Sequence, residues 1–253
     1  MAGKPAKKRL DQLLVERGLV EGLAKAQALI MAGKVFSNER KLDKAGQQIP
    51  EDTLLEVRAQ DHPWVSRGGI KLAHGLAEFG ITPDGVTCID VGASTGGFTD
   101  VLLQNDARKV YAVDVGSGQL AWKLRTDDKV VVLEKTNARH LTSEMISDPI
   151  GGVVCDASFI GLQTVLPASM ALAEHGAFLV ALIKPQFEVA RHEVGDGGVV
   201  RDPILHDRVV SQIRTWMDSL TEWQVMDVLE SPIKGPEGNV EFLIAARKSI
   251  LSG

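Results

Sequence analysis

The run Cys88-Ile89-Asp90-Val91-Gly92-Ala93-Ser94-Thr95-Gly96-Gly97-Phe98-Thr99-Asp100 decides the fold. An apolar strand enters a glycine-rich turn and leaves it as a helix. Glycines let the backbone come close to a ligand, and the free amides at the helix start face it. Such a turn suits a nucleotide-like cofactor, and the rest of the chain reads as the sheet that carries it.

Outward from this turn, strands are predicted near 87–91, 110–114, 130–133, 152–156, 177–183, 223–229 and 240–246, and helices near 97–104, 118–124, 162–174 and 203–219. Near-continuous apolar strands separated by helices predict an α/β, Rossmann-like, mostly parallel sheet covered on both faces. The last two strands follow one another through Ser231 to Asn239 without a helix, which predicts an antiparallel last strand. Phe187 to Pro203 has glycines, charges and no period, and is expected to be a mobile loop beside the site.

The chain begins differently. Residues 1–70 hold 12 Lys and Arg against 9 Asp and Glu, whereas residues 71–253 hold 16 against 24. A positive small region on an acidic body is compatible with a polyanion held at one end. Arg9 to Gly18 and Leu23 to Met31 have helical spacing, and Lys34 to Asn38 and Thr53 to Val57 read as short strands. The expected organisation is a basic tail over 1–8, a small α+β domain over 9–61, a linker His62-Pro63-Trp64-Val65, and a catalytic domain over 66–253. Trp64 reads as a packing wedge rather than a platform for a base.

Cys88 and Cys155 fall in apolar strands, as small buried side chains in a reducing cytoplasm do. No run resembles a signal peptide or a bilayer span, so a soluble cytoplasmic protein is expected. Zinc-ligand spacing and a GxxxxGK[ST] loop are both missing, and no metal is expected.

Ligands of open parallel sheets collect at the carboxyl ends of the strands. Asp90 ends the first strand and Asp114 the second, where an acid can accept hydrogen bonds from a ribose diol. The glycine turn departs from GxGxxG and no pyrophosphate clamp accompanies it, which favours S-adenosylmethionine over a nicotinamide dinucleotide. Asp156 and Lys184 end two further strands, and Glu241 opens the last. In an antiparallel last strand Glu241 reaches the same edge, and Lys71, from the helix after Ser66-Arg67-Gly68-Gly69, can join them. A structural ion-pair network would use the same spacing.

These motifs resemble the ribosomal RNA 2'-O-methyltransferases of the hemolysin A (TlyA) type over nearly the whole chain. The resemblance implies an S4-like RNA-binding domain, an FtsJ-like methyltransferase domain and a catalytic tetrad. That tetrad falls on Lys71 in Ser-Arg-Gly-Gly-x-Lys, Asp156 in Asp-x-Ser-Phe-Ile, Lys184 in Lys-Pro-Gln-Phe-Glu and Glu241 in Gly-Asn-x-Glu. Its cofactor residues fall on Asp90, Gly92, Ser94, Thr95, Gly96, Gly97, Phe98 and Thr99, with Asp114 at the ribose. The implied partner is ribosomal RNA or a ribosomal subunit, methylated at a cytidine, with no membrane involved.

Two positions depart from the S4 pattern. Gly22-Leu23 stand where Ser-Arg is common, and Ser37-Asn38-Glu39 where Val-Asn-Gly is common. Losing that arginine shifts the expected RNA contacts to Lys7, Lys8, Arg9, Arg17, Lys25, Lys34, Arg40, Lys41 and Arg67. A non-catalytic RNA-binding or ribosome-assembly factor is the rival reading. A membrane-lytic role has no cationic amphipathic helix to perform it.

Overall fold

The computed structural model describes residues 6–20, 22–38, 40–57, 62–235 and 237–250. The chain divides into two compact units, Met1–Pro63 and Trp64–Gly253, a division that falls between residues 62 and 65.

The first unit contains β1 (Lys7–Arg9), α1 (Leu10–Glu16), α2 (Leu23–Met31), β2 (Val35–Ser37), β3 (Arg40–Lys41), β4 (Gln48–Pro50) and β5 (Glu56–Val57). Strand β1 pairs antiparallel with β4, and β2 lies between β3 and β5. Leu10, Leu13 and Leu14 recur at helical spacing and bury one face of α1 against Ala26, Ile30, Val35 and Ile49. Gly18, with φ of +66°, turns the chain out of α1. Lys7 and Lys8 were expected in a basic tail, but they belong to β1, opposite Pro50 and Ile49. A three-residue polar strand has no period of its own, so its pairing comes from its partner. Residues 1–5, and Glu39 of the expected Ser-Asn-Glu turn, lie outside the described residues.

The second unit contains α3 (Gly68–Glu78), β6 (Thr87–Val91), α4 (Gly97–Gln104), β7 (Lys109–Val113), α5 (Trp122–Arg125), β8 (Val130–Leu133), β9 (Ile150–Cys155), α6 (Leu162–Val165), α7 (Pro167–Leu172), β10 (Ala173–Ile183), α8 (Pro185–Glu188), α9 (Pro203–Asp218), β11 (Trp223–Glu230) and β12 (Phe242–Lys248). These strands form one sheet in the order β11-β12-β10-β9-β6-β7-β8. Pairing from β10 through β8 is parallel, and β12 runs antiparallel to both β10 and β11.

Strand alternation sorts the core. Ile89, Val91, Val153, Cys155, Leu179, Ala181 and Ile183 face α6, α7 and α9, and Cys88, Val154, Phe178, Val180 and Leu182 face α3 and α4. Each fully buried aliphatic side chain contributes about 1.5–3 kcal/mol relative to exposure, so this two-sided packing makes a firm floor under the turn. The two cysteines thus sit on opposite faces, and burial pushes both thiols up to about 12.

Two helices are shorter than expected. Pro167, with no N–H to donate, divides the helix predicted over 162–174, and Ala173 already belongs to β10. The helix predicted over 118–124 is only the single turn α5, because Gly118 adopts φ of +73° in the preceding loop. The segment 187–203, read as a mobile loop, is built of short turns. The carboxamide of buried Asn239 accepts from the Val200 amide (2.9 Å) and donates to the Gly198 carbonyl (3.0 Å). No described helix is long and apolar enough to cross a membrane.

Candidate active site

Strand register places the chemistry. Val91, Cys155 and Ala181 lie side by side through β6, β9 and β10, and Ile183 lies opposite Phe242 in β12. The residues that follow these positions, together with Glu241 just before Phe242, emerge at one edge of the sheet. A cavity of about 550 Å³ opens there, lined by Lys71, Asp156, Lys184 and Glu241.

The four form two ion pairs. Lys71, 6% exposed on α3, lies 2.5 Å from Glu241, which is 2% exposed. Lys184, also 6% exposed, lies 2.6 Å from Asp156 Oδ1 and donates to the Asp156 carbonyl (3.0 Å) and the Ser158 hydroxyl (2.9 Å). Charges this deep cost several kcal/mol each to desolvate, so they persist only when paired. The glycines at the start of α3 make the approach possible: a Cβ at Gly69 would strike the Trp64 side chain at 2.6 Å, and one at Gly68 would lie 3.5 Å from Asp156 Oδ2. Trp64 thus packs on α3 within this unit.

The glycine turn forms the opposite wall, through Gly92, Ala93, Ser94, Thr95, Gly97 and Phe98. Gly92 has φ of +80°, and a Cβ there would meet Ala157 Cα at 2.8 Å. The turn therefore lies directly against the loop that carries Asp156. Asp90, Gly96 and Thr99 do not line the cavity. Gly96, φ +94°, caps α4, and the Thr99 hydroxyl donates to Asp90 at 2.6 Å beneath the turn. Asp114 lines a neighbouring narrow cleft with Gln119, Leu120 and Glu134. Its carboxylate accepts from the Ser94 and Gly116 amides, each at 2.7 Å, so it fixes the turn that it faces.

Asp90 is fully buried, and its second oxygen, Oδ1, has no hydrogen-bond partner among the described residues. Burial pushes its pKa up to about 7, against the opposing hydrogen bond from Thr99. The folded state therefore holds this proton more tightly than the unfolded chain, where an aspartate titrates near 4. Stability is lost as pH rises through that window, by up to about 1.4 kcal/mol per pH unit. Asp90→Asn is expected to flatten the fall in melting temperature between pH 5 and 7.5. An unchanged slope would remove Asp90 as its source.

Several lining residues carried no assignment from sequence: Ser158, Phe159, Gln186, Phe187, Lys234 and Glu237. Phe159 is 89% exposed at φ +64°, and its ring lies 5.0 Å from that of Phe187. A large exposed aromatic in a left-handed turn was a usable signal, but the backbone angle is not written in the sequence. Of the expected RNA contacts, Arg67 lines the cavity. In the first unit, Lys8 pairs with Glu16 and Glu51, Arg9 with Asp11, and Arg17 donates to the Glu51 and Thr53 carbonyls. The Arg9 guanidinium holds the Asp11 carboxyl well below the usual carboxylate range. Lys7, Arg40 and Lys41 are exposed and make no side-chain hydrogen bond or ion pair among the described residues.

Comparison with known proteins agrees with this layout. Residues 64–248 match the FtsJ-like methyltransferase family and residues 8–55 the S4 domain. The chain is 48% identical over 240 residues to the "16S/23S rRNA (cytidine-2'-O)-methyltransferase TlyA" of Mycobacterium tuberculosis, covering 94% of this chain and 89% of that protein. It is 42% identical over 236 residues to "Hemolysin A" of Brachyspira hyodysenteriae, covering 93% and 98%. Among solved structures, "Putative hemolysin from Streptococcus thermophilus" aligns with a TM-score of 0.73 and 40% identity, covering 96% of this chain and 89% of that one. With matches this long over both units, the chain belongs to the hemolysin A (TlyA)-type family, which joins an S4 domain to an FtsJ-like methyltransferase domain.

Proposed function

We infer that this enzyme transfers the methyl group of S-adenosylmethionine to the ribose 2'-hydroxyl of a cytidine in ribosomal RNA. The observation that carries the reading is the pair of buried lysine–carboxylate couples facing one cavity at the end of the glycine turn. The cytidine and the ribosomal RNA come from the names of the relatives.

The residues fit the cofactor. Gly92 and Gly97 line the cavity at points where a Cβ would strike the Ala157 backbone and the start of α3, so the turn can close on a ligand only with glycine there, and Asp114 keeps acceptor lone pairs beside its cleft for the ribose diol. S-adenosylmethionine, when bound, supplies an activated methyl group on a sulfonium. The protein's part is to present an oxygen in line with it. Lys184 is the group that orients the 2'-hydroxyl and stabilises negative charge on its oxygen, while the hydroxyl proton passes to water at the open mouth of the cavity. Asp156 holds Lys184, and the Lys71–Glu241 pair fixes the adjacent wall. Phe159 and Phe187 offer rings on which an unstacked base can rest.

In the S4 domain, exposed Lys7, Arg40 and Lys41 are the proposed phosphate contacts, with Arg67 at the cavity itself. Lys8, Arg9 and Arg17 have internal partners and contribute less. We assign the enzyme to the cytoplasm, where its RNA substrate resides. Incubation with radiolabelled methyl donor and separately purified small subunits, large subunits and naked RNA, followed by mapping, tests the reading. Label at a cytidine 2'-oxygen supports it. Cofactor binding without label on any of the three would move the assignment to a ribosome-assembly factor.

A further inference from the structure

Three carboxylates line the catalytic cavity, and their circumstances differ. Asp156 and Glu241 are each committed to a lysine, at 2.6 and 2.5 Å. Glu237 is exposed and makes no hydrogen bond or ion pair among the described residues. It stands four residues before Glu241, in a loop closed by bonds from the Ser231 amide to the Glu241 carbonyl (2.8 Å), from the Gly235 amide to the Asn239 carbonyl (2.9 Å) and from the Gly238 amide to the Gly235 carbonyl (2.9 Å). The side-chain amide of Asn239 ties the same loop to Gly198 and Val200. An unpaired carboxylate is thus presented to the cavity from a braced support.

An ionised carboxylate only accepts hydrogen bonds, so a substrate group opposite it must donate. Arg67 and Lys234 line the same cavity and offset its charge toward a polyanion. With the ribose at Lys184 and the base against Phe159 and Phe187, the groups left to recognise are those on the base edge. Cytosine carries an amine at position 4, two donors, where uracil carries a carbonyl. We propose that Glu237 accepts from the exocyclic amine of the target cytosine and is the residue that excludes uridine. The inference rests on the ribose-methylation reading above. Gln186 also lines the cavity and has a buried side-chain oxygen without a hydrogen-bond partner among the described residues. Its amide can turn to offer either a donor or an acceptor, so it tolerates both pyrimidines.

The test uses the full chain and ribosomal RNA carrying either cytidine or uridine at the mapped position, and reads kcat/KM on each. Wild type is expected to prefer cytidine by about tenfold or more, the discrimination of one good base-edge contact. Glu237→Ala is expected to lose about tenfold on cytidine and little on uridine. Glu237→Gln, nearly isosteric and able to offer an N–H to a carbonyl, is expected to gain on uridine. Melting temperature and binding of labelled cofactor, unchanged in both, would show that the site remains built. Wild-type preference retained by both variants would overturn the assignment of Glu237 while leaving the activity intact. Absence of ribose methylation by wild type on either RNA would instead overturn the functional reading, and this inference with it.

Discussion

Lys184→Ala should reduce methyl transfer by roughly a thousandfold or more, the scale of losing the group that both orients the attacking hydroxyl and stabilises the charge on its oxygen. Cofactor binding should change little, because the residues that form the glycine cradle lie on another wall of the cavity. The lysine is anchored on Asp156 and Ser158 and has little exposed surface, so its removal leaves Asp156 unpaired but still 23% exposed to water. The loss should therefore appear in kcat under saturating RNA and cofactor, with a fall in melting temperature smaller than that caused by breaking the more deeply buried Lys71–Glu241 pair. Single-turnover methylation by radiolabel beside equilibrium binding of the cofactor would separate the two. A variant keeping a tenth of wild-type activity would remove Lys184 from the chemistry.

The second large effect is on stability. Lys71→Ala leaves the Glu241 carboxylate buried, its side chain 1% exposed, without its cation. Breaking a buried pair from one side costs about 3–5 kcal/mol, whereas replacing both members with apolar groups of similar size is often neutral. Lys71→Ala and Glu241→Leu should each lower the urea midpoint of the second unit markedly, and the double variant Lys71→Met/Glu241→Leu should recover most of it. None of the three should methylate RNA at more than a small fraction of the wild-type rate. A double variant no more stable than the worse single one would mean that the two side chains are held by the fold independently of each other.

The recovery of stability without activity would also separate the two uses of the same residues that spacing alone leaves open. An ion-pair network kept for stability should be replaceable by methionine and leucine. One kept for chemistry should not.

The site was legible in the sequence to the extent that sheet topology governs it. Asp156 and Lys184 follow apolar strands, and the absence of a helix between β11 and β12 reverses the last strand and carries Glu241 to the same edge. Which apolar residues of those strands face which layer of helices was shown by the fold alone. What stayed hidden depends on local backbone angles or on partners far away in the chain. Phe159 reaches the cavity through a left-handed turn, and Pro167 breaks a helix whose apolar spacing continues past it. β1 exists because residues 48–50 pair with it, and nothing in Lys7-Lys8-Arg9 announces that. Charge had the same limit. Arg9 and Arg17 read as free cations, and only the fold shows that Asp11 and two carbonyls already engage them.

The position of β12 between β10 and β11 has a consequence for biosynthesis. Lys71 is made 170 residues before Glu241, and β10 has its full length before β12 exists. Until Phe242–Lys248 are added, β10 is the edge of the sheet, an apolar strand with one row of backbone groups unpaired, which is the kind of surface that recruits another chain. The strand that follows Glu241, the last carboxylate to reach the cavity, is also the one that closes this edge. Chains cut short before residue 242 should therefore be not merely inactive but prone to aggregate, and the completed site coincides with a sealed sheet.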